Sequence, residues 1–458
     1  MTVAVISDEV IRNTALDIII DELELDAEPD EVDLDADLID IYGADSLGLI
    51  QVLARVNKEL SIRVPRELAV KAGRSGVSEI TSFDSSDFPA RLAGEVQDFD
   101  PASIVRVIDV DEWGRTAHFA AAAARLAVED AGLELDEDTR ATAGAIIGTT
   151  NGEAPSVDTL THQWLDGGPS TLSADLVRKI PAGNIAAAVS VELGLYGETL
   201  VIPTACSAAN YAIGSAADKI IAGESDVMVA GGADSVNRFT HAGFQSLGAV
   251  ADGVPRPFDG DRSGIVTAEG GAVLVLEELE HARRRGAHIY AELLGYGLSC
   301  DAHHIVHPDA ESIAECIRKA HANSGIDAGD VDYVCAHGTG TPTNDITEVT
   351  ATRLVFGDEH PPMSSIKSML GHTMGAASGF GAIACCKAIE DAFLPPTINL
   401  RTVDPAFGEG IDFVGGGTPD TEVRVAQNHG FAFGGNNAIT IFGAYADRDP
   451  VGAGGQRR

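Results

Sequence analysis

Cys206 follows the apolar run "TLVIPTAC" (199–206) and opens the Gly- and Ala-rich stretch "SAANYAIGSAADKIIAG" (207–223). A thiol placed there sits on a tight strand-to-helix turn, a position suited to a nucleophile. The helix N-terminus favours negative charge, which predicts a lowered thiol pKa and an available thiolate. A lone cysteine is more often a core residue, and Cys300, Cys316, Cys335, Cys385 and Cys386 are read that way. Two histidines set Cys206 apart. "CAHGTGTPTNDITE" puts His337 at the end of an apolar run, followed by Gly338, Thr339, Gly340 and Thr341. "SSIKSMLGHTMGAASG" puts His372 between glycine turns, with Lys367 five residues earlier. Glycine on both sides of polar groups at strand ends points to backbone approaching a ligand. A fourth candidate stands near the start: Ser46 in "IYGADSLGLIQ" (41–51), a hydroxyl at a helix N-cap after a long acidic segment.

These groups need strands and helices to aim them. Near the start, "SDEVIRNTALDIIIDE" (7–22) and "SLGLIQVLARVNKEL" (46–60) have apolar residues at helical spacing, and Pro65 breaks the second. From about residue 75 the texture changes. Helices are predicted over 115–132, 207–223 and 311–325, and strands over 143–150, 199–206, 226–232, 271–278, 290–297, 331–338 and 437–446. Strands alternating with helices imply parallel sheets covered on both faces.

A length of 458 residues suits two to three domains, and a hydrophobic content of 45% suits a sizeable core. The formal charge is −39, and residues 1–70 hold 17 acidic against 5 basic side chains. Nucleic acid is excluded as a partner, because duplex binding rests on Lys and Arg neutralising phosphates. No apolar run reaches the roughly 20 residues that span a bilayer, and "MTVAVISDEV" does not read as a signal peptide. None of the six cysteines forms a CxxC pair, so neither a zinc site nor a disulfide framework is expected and the chain reads as reduced and cytoplasmic.

Over residues 72–446 the sequence resembles the beta-ketoacyl-acyl carrier protein synthases, the type II elongating ketosynthases of fatty-acid and polyketide pathways. "TACSAAN" resembles their nucleophile motif, and "HGTGTPTND" and "KSMLGHTMGAA" their two histidine motifs. "AGRSGVSEITSFDSSDFPARLAGEVQDFDP", "RPFDGDRSGIVTAEGGAVLVLEELEHARRRGA" and "FAFGGNNA" extend the pattern in the same order. Residues 5–68 resemble an acyl carrier protein, with "GADSL" as its attachment motif. The resemblance implies an α/β fold of thiolase-like doubly wound sheets, layered α-β-α-β-α, preceded by a small helical carrier-protein-like segment. It implies three parts: residues 1–68, a first synthase half over 69–255 with the nucleophile, and a second over 256–458 with the histidines.

The implied activity is decarboxylative Claisen condensation. Cys206 takes an acyl chain from a carrier thioester. His337 and His372 promote loss of carbon dioxide from a malonyl-carrier and stabilise the enolate. The backbone N–H groups of Cys206 and Phe433 hold the oxyanion, and Phe433 gates an acyl tunnel. Lys367 organises the histidines, with Glu348 as its ion-pair partner. Thr339 and Thr341 hydrogen-bond the pantetheine arm. Ser46 carries 4'-phosphopantetheine, and no metal is implied. The implied partners are acyl- and malonyl-carrier protein, a phosphopantetheinyl transferase, and a second ketosynthase-like subunit in a homodimer or heterodimer; no membrane is involved. A non-condensing chain-length-factor-like partner and a defective carrier–synthase fusion are the alternatives.

The pattern breaks at one place. "SIRVPRELAVKAGRSG" runs from the carrier-like helix into the synthase pattern after about a dozen residues, without the strand that opens a family ketosynthase. That strand is expected at the centre of a doubly wound sheet, where a gap would leave backbone groups unpaired. Three explanations compete: a deletion or fusion at the joint, the β-branched run "TVAVI" (residues 2–6) filling the place, or a partner subunit covering the gap.

Overall fold

The computed structural model describes Val70 and residues 73–446. Ser46 and the carrier-like helices lie outside the described residues, as does "TVAVI".

Four strands form the first sheet: β1 (Gly144–Gly148), β2 (Thr199–Ile202), β3 (Val227–Asp234) and β4 (Gly270–Glu277). Their order is β2-β1-β3-β4, with the first three parallel and β4 antiparallel to β3. Five strands form the second: β5 (Glu292–Cys300), β6 (Tyr333–Cys335), β7 (Met363–Ser364), β8 (Val425–Phe431) and β9 (Asn436–Gly443). Their order is β7-β6-β8-β9-β5, and again the first three are parallel and the fourth reverses. The halves are therefore one topology used twice, with β5 as the additional edge strand.

Helices α1 (Arg115–Asp130) and α2 (Gly183–Leu193) cover the outer face of the first sheet. Helices α4 (Ala310–Ser324) and α5 (Pro342–Phe356) cover the outer face of the second. Between the sheets lie α3 (Ala208–Ile221) and α6 (Ala377–Asp391), which completes the α-β-α-β-α order. Composition explains the middle layer. A helix pressed between two sheets must be narrow all round, and α3 buries Ala208, Ala209, Ala212, Gly214 and Ala216 while α6 buries Ala377, Gly379, Gly381, Ala382 and Ala384. Gly381 is required by close approach: a Cβ there would stand 2.2 Å from Asn428 Oδ1.

Asn428 is the node that joins the halves. Its amide donates to Asn210 Oδ1 (2.8 Å), to the Ser378 carbonyl (2.8 Å) and to Thr440 Oγ1 (3.2 Å). The Asn210 amide on α3 donates in turn to the Ala438 carbonyl on β9 (3.1 Å), and its backbone N–H donates to Ser378 Oγ (3.1 Å). All these groups are buried, so each bond replaces one that water would otherwise supply.

Three expectations change. The first sheet takes its last strand from Gly270–Glu277, beyond the expected division at 255/256. The Gly- and Pro-containing loop at 253–264 is an excursion onto the second half, where the Phe258 N–H donates to Asp345 (3.0 Å) and Arg262 binds Asp404 (2.6 Å). Strand β8 was not foreseen, because "VAQNHGF" carries three polar side chains in a row; all three are buried. Finally, the opening strand is not central. Its counterpart in the second half, β5, lies at the edge beside β9, so the first-half position is the edge beside β4. Among the described residues β4 pairs with β3 alone, and Leu274–Glu277 are only partly buried, whereas β9 is buried from Asn437 onward. An absent edge strand costs one row of hydrogen bonds rather than the continuity of the core.

Removing the node is expected to be costly. Asn428→Ala leaves the Ser378 carbonyl without this donor and weakens the hold on Asn210, a loss of about 3 kcal/mol. Urea denaturation at fixed protein concentration should show the midpoint fall; an unchanged midpoint would mean the halves are held otherwise.

Candidate active site

Cys206 lies in the single turn Ala205–Ser207 that joins the end of β2 to α3. Ala205 is held at φ 53°, a left-handed conformation that costs a non-glycine residue about 1–2 kcal/mol and turns the chain sharply at the thiol. Cys206 is 5% exposed, and burial pushes its thiol up to about 12; Lys367 pulls the other way and Asp234 adds to the rise. The helix N-terminus stands where the sequence places it, and burial pushes the thiol in the direction opposite to the lowering expected from that terminus.

His337 lies two residues past the end of β6, and Gly338 behind it takes φ 37° while the Gly338 carbonyl accepts from Ser365 Oγ (2.6 Å). His372 is fixed by its own backbone: its N–H donates to Val266 O (2.7 Å) and its carbonyl accepts from Ala268 N–H (2.8 Å). The two rings stand 5.5 Å apart and nearly perpendicular. The Met374 N–H donates to His372 Nδ1 (3.1 Å), so the ring proton of the neutral form sits on Nε2. Burial, reinforced by Lys367, holds both imidazoles well below their ordinary pKa, and both are neutral at pH 7.

Lys367 opens the short helix Lys367–Leu370 and is 5% exposed. Burial lowers its pKa against the pull of Cys335, Glu348, Cys206 and Asp345. Glu348 is not its close ion-pair partner. Its oxygens accept the N–H groups of His337 (2.8 Å) and Gly338 (2.7 Å) and bond His429 Nδ1 (2.8 Å), and it acts on Lys367 through space. Asp234, at the end of β3, was not singled out in the sequence. It accepts from Thr149 Oγ1 (2.8 Å), Thr150 N–H (2.7 Å) and Gly375 N–H (2.6 Å), which pins the loop of His372 to the first half. Its position at the end of "VMVAGGAD", a strand end like those of the other site residues, was the available signal.

Cys206, His337, His372, Thr339, Thr341 and Phe433 line one cavity of about 180 Å³. Thr339 and Thr341 pair through their hydroxyls at 3.0 Å, and Thr341 also caps α5 through the Asn344 N–H. Phe433 is 38% exposed at the cavity, with its ring 5.6 Å from Phe244. The structure thus brings together every expected synthase residue, with Lys367 and Glu348 behind the rings.

Residues 68–282 match the N-terminal domain of the beta-ketoacyl synthases and residues 290–401 match their C-terminal domain. This chain belongs to the beta-ketoacyl synthase family. Residues 13–73 match the phosphopantetheine attachment site family, which includes the position of Ser46. The ketosynthase is 36% identical over 390 residues to a 3-oxoacyl-[acyl-carrier-protein] synthase 2 of Coxiella burnetii, covering 83% of this chain and 94% of that protein. A protein of the same name from Synechocystis is 37% identical over 384 residues, covering 81% and 92%. Among solved structures, the ishigamide ketosynthase/chain length factor matches with TM-score 0.81 and 45% identity over 83% of this chain and 94% of that one. A beta-ketoacyl synthase from Burkholderia phymatum matches with TM-score 0.77 and 33% identity, covering 83% and 95%. Among the described residues no helix is long and apolar enough to cross a membrane.

A thiol raised to about 12 has a thiolate fraction that climbs about tenfold per pH unit through neutrality. Alkylation of Cys206 by iodoacetamide, followed by peptide mass spectrometry, should accelerate on that slope from pH 7 to 9. A rate already level at pH 7 would show a resting thiolate.

Proposed function

We propose that this ketosynthase elongates carrier-bound acyl chains by decarboxylative Claisen condensation, with Cys206 as the nucleophile. The observation that carries the reading is the convergence of buried Cys206 with two buried, neutral imidazoles in one cavity. Cys206 Sγ adds to the carbonyl of an acyl thioester while a neutral imidazole accepts its proton; the C–S bond to pantetheine then breaks, and the imidazolium returns that proton to the leaving pantetheine sulfur. A malonyl-carrier then enters. Its carboxylate C–C bond breaks, carbon dioxide leaves, and the electron pair becomes an enolate. His372 donates Nε2–H to the thioester oxygen, and His337 supplies the second contact. The enolate carbon attacks the Cys206 acyl carbonyl, and the oxyanion takes the N–H groups of Cys206 and Phe433. That attack forms the new C–C bond; collapse of the oxyanion restores the carbonyl, breaks the C–S bond and releases the Cys206 sulfur, which takes a proton from solvent. Thr339 and Thr341 stand where they can contact the pantetheine arm, and Phe433 where it can gate the acyl channel. Burial, reinforced by Lys367, keeps both rings unprotonated. A non-condensing partner role is disfavoured, since nothing in such a role uses this convergence.

Ser46 is the proposed attachment point of 4'-phosphopantetheine, whose thiol supplies the thioester linkage that carries acyl groups. A solved neighbour, 29% identical with TM-score 0.75, is titled as a type II acyl-carrier protein in complex with its ketosynthase; this favours an acyl carrier as the partner here. The edge strand β2 exposes Thr199 and Leu200 and carries a free row of backbone groups on its outer side among the described residues. We assign it as a self-complementary edge between two ketosynthase-type subunits. Whether the second subunit is identical or resembles the partner in the ishigamide ketosynthase/chain length factor is decided by co-purification.

Three experiments test this reading. Intact-mass spectrometry after incubation with a phosphopantetheinyl transferase, coenzyme A and acyl-carrier should show one arm, lost in Ser46→Ala, and one acyl group, lost in Cys206→Ala. Cys206→Gln should still decarboxylate malonyl-carrier, and His337→Ala or His372→Ala should depress that step more than acylation; an elongating C206A variant would remove Cys206 from the reaction. Light scattering at micromolar concentration should give a dimer mass, and Leu200→Arg on β2 should shift it towards monomer; a folded wild-type monomer would contradict the edge assignment.

A further inference from the structure

Behind His337, outside the cavity, runs an unbroken line of buried polar side chains. His321 on α4 bonds through Nε2 to Gln427 Oε1 (2.6 Å). Gln427 Nε2 meets His429 Nε2 (2.6 Å), and His429 Nδ1 meets Glu348 Oε1 (2.8 Å). Glu348 Oε1 and Oε2 then receive the N–H groups of His337 and Gly338 (2.8 and 2.7 Å). Gln427 and His429 are alternate residues of β8 and so share one face of the sheet. His321 is 6% exposed, His429 1%, and Gln427 and Glu348 are fully enclosed.

The line has a direction. Glu348 accepts only, so His429 carries a proton on Nδ1 whichever way the Gln427 amide is turned. With the amide as placed, Gln427 donates to a bare His429 Nε2, and His321 donates to the Gln427 oxygen. Every donor therefore points towards Glu348, and every bond of Glu348 fixes either the line or the two residues that carry the first imidazole. The adjacent rings reinforce this: Phe431 lies 5.5 Å from His337 and 5.3 Å from His429.

We propose that His429 is a positioning residue for His337. Its Nδ1–H holds Glu348, Glu348 holds the backbone turn His337–Gly338, and the turn aims the imidazole into the cavity; Gln427 and His321 keep His429 in that orientation. The proposal rests on the reading of His337 as a group that serves decarboxylation.

The test compares two substitutions in one assay of malonyl-carrier decarboxylation and Cys206 acylation. His429→Leu removes the donor, while His429→Asn keeps an amide N–H close to the Nδ1 position. H429L is expected to lower the decarboxylation kcat about tenfold, with KM for malonyl-carrier and the acylation rate within about twofold of wild type, because a small misplacement of a reacting group is costly. H429N is expected to recover most of the loss. In an H337A background H429L should add nothing, since it acts through that ring. Equal losses in acylation and decarboxylation, equal defects in H429L and H429N, or an additive loss in the H337A background would each overturn the proposal. Undiminished decarboxylation by H337A alone would instead overturn the role of His337, and is read in the same experiment. Where H429L does not fold, Gln427→Leu carries the test: it leaves the donor but frees its orientation, and should lower decarboxylation about threefold with acylation intact. An unchanged rate there would also overturn the proposal.

Discussion

Two helices pressed between two sheets lose water along most of their faces, and this constraint governs the rest of the molecule. It demands small side chains on α3 and α6, which explains the glycine and alanine content. It demands that each buried polar group find a protein partner, which explains the Asn210–Asn428–Ser378 node. It also places Cys206 at the N-terminal end of one enclosed helix, where the chain passes from strand to helix. The reactive thiol and the core that carries it are thus products of the same packing.

The same dryness sets the chemistry. Charge is disfavoured, so the thiol and both imidazoles rest neutral, and one buried cation, Lys367, strengthens that bias on the imidazoles. The groups that face the cavity, the thiol and the two imidazoles, hold no negative charge before substrate arrives. Negative charge develops only as the thioester reacts, and donors already fixed in place receive it without reorganisation. Fixing is achieved from behind: Asp234 binds the loop of His372, and Glu348 binds the turn of His337. Each imidazole therefore has a carboxylate that acts on its backbone rather than on its ring.

Much of this was legible before the fold. The strands at 144–148, 199–202 and 227–234 stand out as β-branched or glycine-bounded apolar runs, and Cys206, His337 and His372 mark the strand ends that converge. Strand β8 was hidden because Gln427, Asn428 and His429 read as a polar loop, and only tertiary partners make them core. Glu348 was identified but given the wrong contact, since its bonds run to backbone and to β8. The thiol was expected to be lowered by a helix terminus, an effect visible in sequence, whereas the burial that raises it is visible only in three dimensions. The repeat of topology between halves, with no obvious repeat of sequence, moved the missing opening strand from the centre of the sheet to its edge.

The central claim is that two neutral imidazoles face the thiol, with the His372 proton on Nε2. Nitrogen NMR of the protein labelled with ¹⁵N-histidine reads both properties at once. At pH 7 the His372 resonances, assigned by His372→Gln, should show an unprotonated Nδ1 and a protonated Nε2, and His337 should show no imidazolium. An imidazolium pair at either residue, or a proton on His372 Nδ1, would contradict the account.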